Sequence, residues 1–121
     1  MKTAHIAIGV FLILAIAAIA ILYSAVLQKQ SGVIVFYYGN TCPHCQVVET
    51  FIDDNNLNAT LKLDYREVFN NSDNAATLQG IWVKCNQTGD PQVPLLYYNN
   101  SCFIGEDQAI SFLNSHMGAK Q

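Results

Sequence analysis

Charged residues are scarce in this chain of 121 residues, at 12%, whereas soluble domains carry about a quarter. Basic residues are in the minority, and the formal net charge of −3 argues against a nucleic-acid partner. Four cysteines are too few for a disulfide-dense mini-protein. The sequence contains no nucleotide, flavin or haem motif, so we expect no cofactor. The short length excludes two full domains.

One long hydrophobic segment, residues 6–27, accounts for much of the missing charge. It contains no charged residue, no proline and one glycine. As a helix it would be about 33 Å long, which matches the roughly 30 Å hydrocarbon core of a bilayer. Tyr23 lies near one end, as an interfacial anchor would. We therefore predict a tail at 1–5 and a transmembrane helix at 6–27.

Two other interpretations of this segment stay open. Ala18-Ile19-Ala20 fits the small-x-small pattern of a signal-peptide cleavage site, although the apolar run continues beyond it to Leu27. A buried core helix is the third interpretation, but the run is long for that role. Lys2 precedes the segment and Lys29 follows it, which slightly favours a cytoplasmic N-terminus.

The remaining chain reads as a short polar linker at 28–32 and one α/β domain at 33–121. A continuous apolar and aromatic run predicts a buried strand, and the change to helical spacing after it predicts a helix. Asn99-Asn100 is a tight-turn signal between two strands. The predicted elements are a strand at 33–38, a helix from 42, a strand at 60–65, a helix at 72–85, strands at 93–98 and 101–104, and a helix after 105.

Cys42-Pro43-His44-Cys45 is a C-x-x-C motif between a predicted strand and a predicted helix. A thiolate on Cys42 would be stabilised there by free backbone N–H groups and the helix dipole. Pro43 suits the first helical turn, and His44 could stabilise the thiolate further. Cys45 follows one turn later, within reach of a disulfide with Cys42. We therefore predict thiol–disulfide exchange, with Cys42 as nucleophile and Cys45 as resolving thiol.

Two less reactive interpretations of the motif remain. The pair could be half of a zinc site completed by Cys85 and Cys102, but those two cysteines do not form a second C-x-x-C knuckle. The pair could also be a purely structural bridge. Because the motif opens a helix after a core strand, we favour exchange and predict no metal site.

These residues resemble the thioredoxin superfamily in its compact glutaredoxin-like form. The resemblance covers residues 33–117 and is based on the 33–45 segment, the β-α-β-α-β-β-α order and Val93-Pro94 before a strand. It implies a mixed four-stranded sheet and a cis Pro94 that faces the C-x-x-C motif. It also implies that the backbone of Val93 pairs with a bound substrate chain.

The Pro-His dipeptide between the cysteines is similar to that of bacterial periplasmic disulfide oxidases in this superfamily. That similarity implies a readily ionised Cys42 and an oxidising pair. Other features depart from the pattern. Thioredoxins carry a buried acid where this chain has Phe36, and a Trp before the motif where it has Asn40-Thr41. The large helical insertion of the periplasmic oxidases is also absent, so the direction of electron flow stays open.

In the family's fold Cys85 and Cys102 could approach each other and form a structural disulfide beside the loop that leads to Pro94. A second redox relay and two unpaired thiols are the alternatives. A bridge of this kind would support an oxidising compartment, and hence a domain on the extracytoplasmic side of the membrane.

The sequence thus predicts a single-pass, membrane-tethered thiol–disulfide oxidoreductase, oxidase-like in direction. Its expected partners are protein thiols and disulfides, and a membrane redox partner. A disulfide reductase or isomerase with the same residues is one alternative. A non-catalytic module that binds metal through its thiols is the other.

Overall fold

The computed structural model describes residues 1–27 and 32–117. Contact clustering divides the chain into two units, Met1–Ser31 and Gly32–Gln121. The predicted linker at 28–32 lies outside the described residues except for Gly32.

The first unit is a single helix, α1 (Lys2–Leu27). The helix begins at Lys2, before the predicted span, because the residues ahead of Ile6 are also helical. The segment Thr3–Tyr23 is long and apolar enough to cross a membrane by length and composition, a test that a signal sequence also passes. Its large apolar side chains are exposed, as in Phe11 at 79%. Such a surface is stable in lipid and unfavourable in water.

The second unit has the predicted β-α-β-α-β-β-α order. Its elements are β1 (Ile34–Tyr38), α2 (Pro43–Asp54), a 3-10 turn (Leu57–Ala59), β2 (Leu63–Glu67), α3 (Ser72–Lys84), β3 (Leu95–Tyr98), β4 (Ser101–Ile104) and α4 (Glu106–Met117). The strands form one mixed sheet in the order β2-β1-β3-β4. β2 runs parallel to β1, whereas β3 is antiparallel to both β1 and β4.

Two apolar clusters cover opposite faces of this sheet. On one face, Phe36 and Leu96 pack with residues of α2 and α4, such as Val48 and Leu113. On the other face, a smaller cluster joins the sheet to α3 through Leu78 and Trp82. Neighbouring residues of a strand point to opposite faces, so the continuous apolar run in β1 serves both clusters.

Two strands start later than the sequence predicts. The backbone N–H groups of Thr60 and Leu61 both donate to Leu57 O in the 3-10 turn, so they are not free for the sheet, and β2 begins at Leu63. Pro94 has no N–H to donate, and β3 begins after it at Leu95. The predicted hairpin is present, with Asn99 and Asn100 both at positive φ.

Candidate active site

The C-x-x-C cysteines lie at the N-terminus of α2. Cys42 is the N-cap residue with an extended backbone (φ −91°, ψ 111°), and Pro43 occupies the first turn, where its missing N–H costs no helical hydrogen bond. The N–H of Cys42 donates to Gly39 O at 3.1 Å, which closes the turn after β1. Cys42 and Cys45 form a disulfide with their Cα atoms 5.2 Å apart.

The two sulfurs of this disulfide have different surroundings. Cys42 keeps 8% of its surface exposed, whereas Cys45 is fully buried. The backbone N–H of Cys45 also donates to Cys42 Sγ at 3.1 Å. This hydrogen bond and the positive end of the helix dipole both stabilise negative charge on Cys42 Sγ. Of the two cysteines, Cys42 is therefore the one that keeps some exposed surface and lies at the helix N-terminus.

Val93 and Pro94 lie against this sulfur, where the sequence resemblance expects them. The Val93–Pro94 peptide bond is cis, and Val93 O lies 3.9 Å from Cys42 Sγ. Pro94 is fully buried, and its carbonyl oxygen accepts the N–H of Gly105 at 2.8 Å. The Pro94 carbonyl is thus held by Gly105, and the backbone of Val93 lies beside Cys42.

His44 turns towards the last helix and not towards solvent alone. Its Nδ1 lies 2.8 Å from Glu106 Oε2 in the first turn of α4, where the imidazole N–H donates to the carboxylate. The His44 side chain is 74% exposed and that of Glu106 is 31% exposed. Solvent therefore weakens this ion pair, but the contact joins the C-x-x-C helix to α4 across the site.

A groove of about 570 Å³ runs alongside these residues. The side chain of His44, the Val93-Pro94 backbone and the start of α4 line it. Glu106 and Asp107 make its α4 wall acidic. Val93, whose carbonyl oxygen lies 3.9 Å from Cys42 Sγ, also lines this groove.

Glu67, at the end of β2, holds the loop that precedes the motif. Burial alone would raise the pKa of this carboxyl, but backbone N–H groups outweigh that effect and lower the pKa below its ordinary value. Three of the donors, with N to O distances of 2.8, 2.8 and 3.4 Å, are Phe69, Asn70 and Asn40. Asn40 belongs to the turn between β1 and Cys42, so one carboxylate links that turn to the loop after β2.

Gly39 and Phe69 are packed together next to this turn. A Cβ atom at position 39 would overlap the aromatic ring of Phe69. The ring itself is 54% exposed. Glycine is therefore required for the close approach of the ring to the backbone that precedes Cys42.

Cys85 and Cys102 form a second disulfide, with Cα atoms 6.0 Å apart. Cys85 caps the C-terminus of α3, and Cys102 lies on the edge strand β4, opposite Tyr97. Both cysteines line a groove of about 430 Å³ that shares Gln92 and Gln108 with the groove beside Cys42. This disulfide thus fixes the start of the 86–94 loop, whose end carries Val93 and Pro94.

The part of the chain that the structure describes gathers no group of three His, Cys, Asp or Glu side chains able to hold a metal ion. The four cysteines form two separate disulfides instead of one shared site.

The structure brings Cys42, Pro43, His44, Cys45, Val93 and Pro94 together at one end of the sheet. Sequence reasoning missed Glu106 and Glu67. Glu106 is the carboxylate that follows the C-terminal strand and Gly105, in a helix-start position that favours acids, but nothing local indicates its contact with His44. Glu67 lies beyond the strand predicted at 60–65, because the sequence pattern places the end of β2 too early.

No protein-family model matches the sequence, and no curated protein matches it. Among solved structures, the domain is similar to oxidised glutaredoxin 2 from Chlamydomonas reinhardtii. The TM-score is 0.50 and the sequence identity 21%, over 78% of this chain and 84% of the other. The likeness establishes the fold: an α/β thioredoxin-like domain of the glutaredoxin type, as the sequence resemblance implied.

Proposed function

From this thioredoxin-like fold and its C-x-x-C pair, we propose that the chain is a membrane-tethered thiol–disulfide oxidoreductase. The fold and the Cys42–Cys45 disulfide suggest thiol–disulfide redox chemistry in general. Our finer proposal is that the domain lies on the extracytoplasmic side, acts on protein thiols and disulfides, and works in the oxidising direction.

The asymmetry of the disulfide is the observation that carries the proposal. Cys42 keeps 8% of its surface exposed, and its Sγ accepts the N–H of Cys45 and lies beside Val93 O, whereas Cys45 is fully buried. A structural bridge needs no such difference between its two sulfurs. An exchange site does, because one sulfur must be attacked and the other must wait to resolve the intermediate.

Oxidation of a client would proceed in two exchange steps. A client thiolate attacks Cys42 Sγ, the Cys42–Cys45 bond breaks, and Cys45 leaves with the electron pair and takes up a proton. A second client thiolate then attacks the client sulfur of the mixed disulfide and releases the Cys42 thiolate. The client dithiol loses two electrons and the Cys42–Cys45 pair gains them.

The surroundings of Cys42 would assist both steps. The N–H of Cys45 and the helix dipole stabilise the departing Cys42 thiolate, which makes it a good leaving group. The Val93 backbone, 3.9 Å from the sulfur, is placed to pair with an extended client segment. We assign client binding to Val93 and Pro94 on this contact and on the family resemblance.

The oxidising direction rests on the Pro43-His44 dipeptide and is decided by the reduction potential. A strongly oxidising pair of this superfamily has a potential near −120 mV, and thioredoxin has about −270 mV. Equilibration of the detergent-solubilised protein with glutathione measures the value. We expect a potential above about −200 mV. A value near that of thioredoxin would contradict the oxidising direction and indicate a reductase instead.

Two features support the tether and its side. The Thr3–Tyr23 segment is long and apolar enough to span a bilayer. The Cys85–Cys102 disulfide suits an oxidising compartment, since disulfides are rare in the cytosol. We propose a structural role for that bridge.

The exchange mechanism is tested by trapping. Cys45→Ala leaves Cys42 without its resolving thiol, so mixed disulfides with client proteins should accumulate and disappear on reduction. Cys42→Ala is the matched control and should form none. If Cys45→Ala gives no thiol-labile adducts, or if both variants give equal amounts, exchange through Cys42 is wrong.

A further inference from the structure

The contact between His44 and Glu106 has no part in the exchange steps above. His44 lies next to Cys42 in the motif, and Glu106 reaches it from α4. Asp107 is the other charged group of α4 that lines the same groove. The Val93-Pro94 wall contributes only uncharged groups there, and the neighbours of His44 on its own helix, Pro43 and Cys45, are uncharged as well.

We propose that Glu106 is a positioning residue that holds His44 while the Cys42–Cys45 pair is oxidised and competes with the Cys42 thiolate for the imidazole after reduction. The proposal rests on the proposed function, in which this pair alternates between the two states. Its consequence is that Glu106 makes the pair less oxidising than the C-P-H-C motif alone would be.

The direction in which Glu106 shifts the redox equilibrium follows from what His44 can bind in the oxidised and in the reduced state. In the oxidised state no anionic sulfur is present, and the imidazole keeps its contact with Glu106 at no cost. In the reduced state the imidazole has two options. It either breaks its contact with Glu106 to bind the Cys42 thiolate, or it keeps that contact and does not stabilise the thiolate. Either way the carboxylate stabilises the oxidised state relative to the reduced one.

The charge of Glu106 acts in the same direction. A carboxylate in the groove repels the negative charge that appears on Cys42 when the disulfide is reduced. Removing Glu106 should therefore favour the thiolate.

The experiment compares Glu106→Gln with Asp107→Asn in the full chain in detergent. Peptide-resolved mass spectrometry follows the alkylation rate of Cys42 from pH 3 to 8, and equilibration with glutathione gives the redox equilibrium constant. We expect Glu106→Gln to move the alkylation midpoint to lower pH. We expect it to shift the equilibrium about three-fold towards the reduced pair, or roughly 14 mV, as suits an exposed ion pair.

Asp107→Asn removes a charge from the same helical turn and groove without removing the contact with His44, so its shift should be less than half as large. In a His44→Asn background, Glu106→Gln should lose the part of its effect that acts through His44 and keep only the direct charge effect, a shift no larger than that of Asp107→Asn.

Equal shifts in the two carboxylate variants, a shift to higher pH, or an undiminished shift without His44 would each overturn the inference. The proposed function fails separately. If the wild-type pair does not exchange with glutathione at all, the redox cycle is wrong, whereas normal exchange that is indifferent to Glu106 leaves the cycle standing and removes only the positioning role.

Discussion

Cys42 and Cys45 are one turn apart at the start of the same helix, yet their surroundings differ. The N-cap position directs the N–H of Cys45 at Cys42 Sγ and leaves 8% of Cys42 exposed, whereas Cys45 is fully buried. This difference follows from the helix geometry, and the motif alone predicts it. A buried neighbour at position 45 is therefore part of the site as much as the exposed sulfur.

Alanine substitutions at two glycines should change the stability of the domain in opposite directions. Gly39→Ala places a methyl group against the ring of Phe69 and should destabilise the domain by about 1–3 kcal/mol, as overpacking does. Gly80 lies in the interior of α3 with open space around it, so Gly80→Ala should stabilise by up to about 1 kcal/mol. Urea unfolding followed by the fluorescence of Trp82, the single tryptophan, measures both.

The same sign for both alanine variants would show that the Phe69 ring moves aside without cost. In that case Gly39 would not be needed for the close packing in front of Cys42.

At the residue scale, the sequence indicates chemistry wherever a short motif carries it. The cysteines, Pro43 and His44 are recognisable from a local pattern, and the Val93-Pro94 dipeptide from the family resemblance. The partner of His44 is not, because Glu106 is 62 residues away along the chain and only the packing of α4 beside α2 brings it close. Contacts of this kind depend on the tertiary fold.

At the scale of elements, the second disulfide ties the end of α3 to the edge strand β4. Replacing both Cys85 and Cys102 by Ala releases a closed loop with a sequence separation of 17. The chain-entropy relation gives a loss of about 3 kcal/mol in the free energy of unfolding. Urea unfolding of the double variant under non-reducing conditions tests this.

Gly80→Ala, with both disulfides intact, serves as a control for the unfolding measurement. A loss below about 0.5 kcal/mol in the double variant would contradict a structural role for the bridge.

Glu67 gives a prediction about pH. Its pKa is lower in the folded domain than in the unfolded chain, so its stabilisation is present above the unfolded pKa and is lost as the pH falls through the folded pKa. The difference in unfolding free energy between wild type and Glu67→Gln should therefore be largest at neutral pH and should disappear at acidic pH. Unfolding curves from pH 7 to pH 3 measure this difference.

Asp90→Asn removes an exposed carboxylate from the 86–94 loop and is the matched control. Its difference from wild type should stay small and constant. If the difference in unfolding free energy between wild type and Glu67→Gln were equally independent of pH, the carboxylate would not anchor the turn before Cys42.

Element order was predictable because each element has its own periodicity, but two boundaries were not. Alternation extends through Thr60 and Leu61, while their N–H groups are already used by the 3-10 turn. The end of β2 at Glu67 depends on the parallel pairing of Tyr38 with Glu67. The sequence pattern indicates which residues are apolar. Hydrogen bonds between distant segments determine where a strand begins and ends.

At the scale of the whole molecule, an apolar helix precedes a thioredoxin-like domain in one chain. If α1 is an uncleaved anchor, the protein should stay in the membrane fraction after alkaline carbonate extraction, and mass spectrometry should recover its N-terminal peptide. An exposed apolar helix of this length makes release into water unfavourable.

A mature chain that starts after Ala20 would contradict the anchor and identify the segment as a signal peptide. Ala20→Leu separates the two cases. It should leave the size of an anchored protein unchanged, whereas it would lengthen a product that is normally cleaved there.

The central claim is that Cys42 is the sulfur through which this protein exchanges disulfides. The most direct measurement is to mix the oxidised, detergent-solubilised protein with one equivalent of a cysteine-containing peptide, quench with acid and locate the mixed disulfide by peptide mass spectrometry. We expect adducts on Cys42 to exceed those on Cys45 by at least about tenfold, because Cys42 keeps some exposed surface at the helix N-terminus whereas Cys45 is fully buried. Adducts shared equally between the two cysteines, or found only at Cys85 and Cys102, would contradict it.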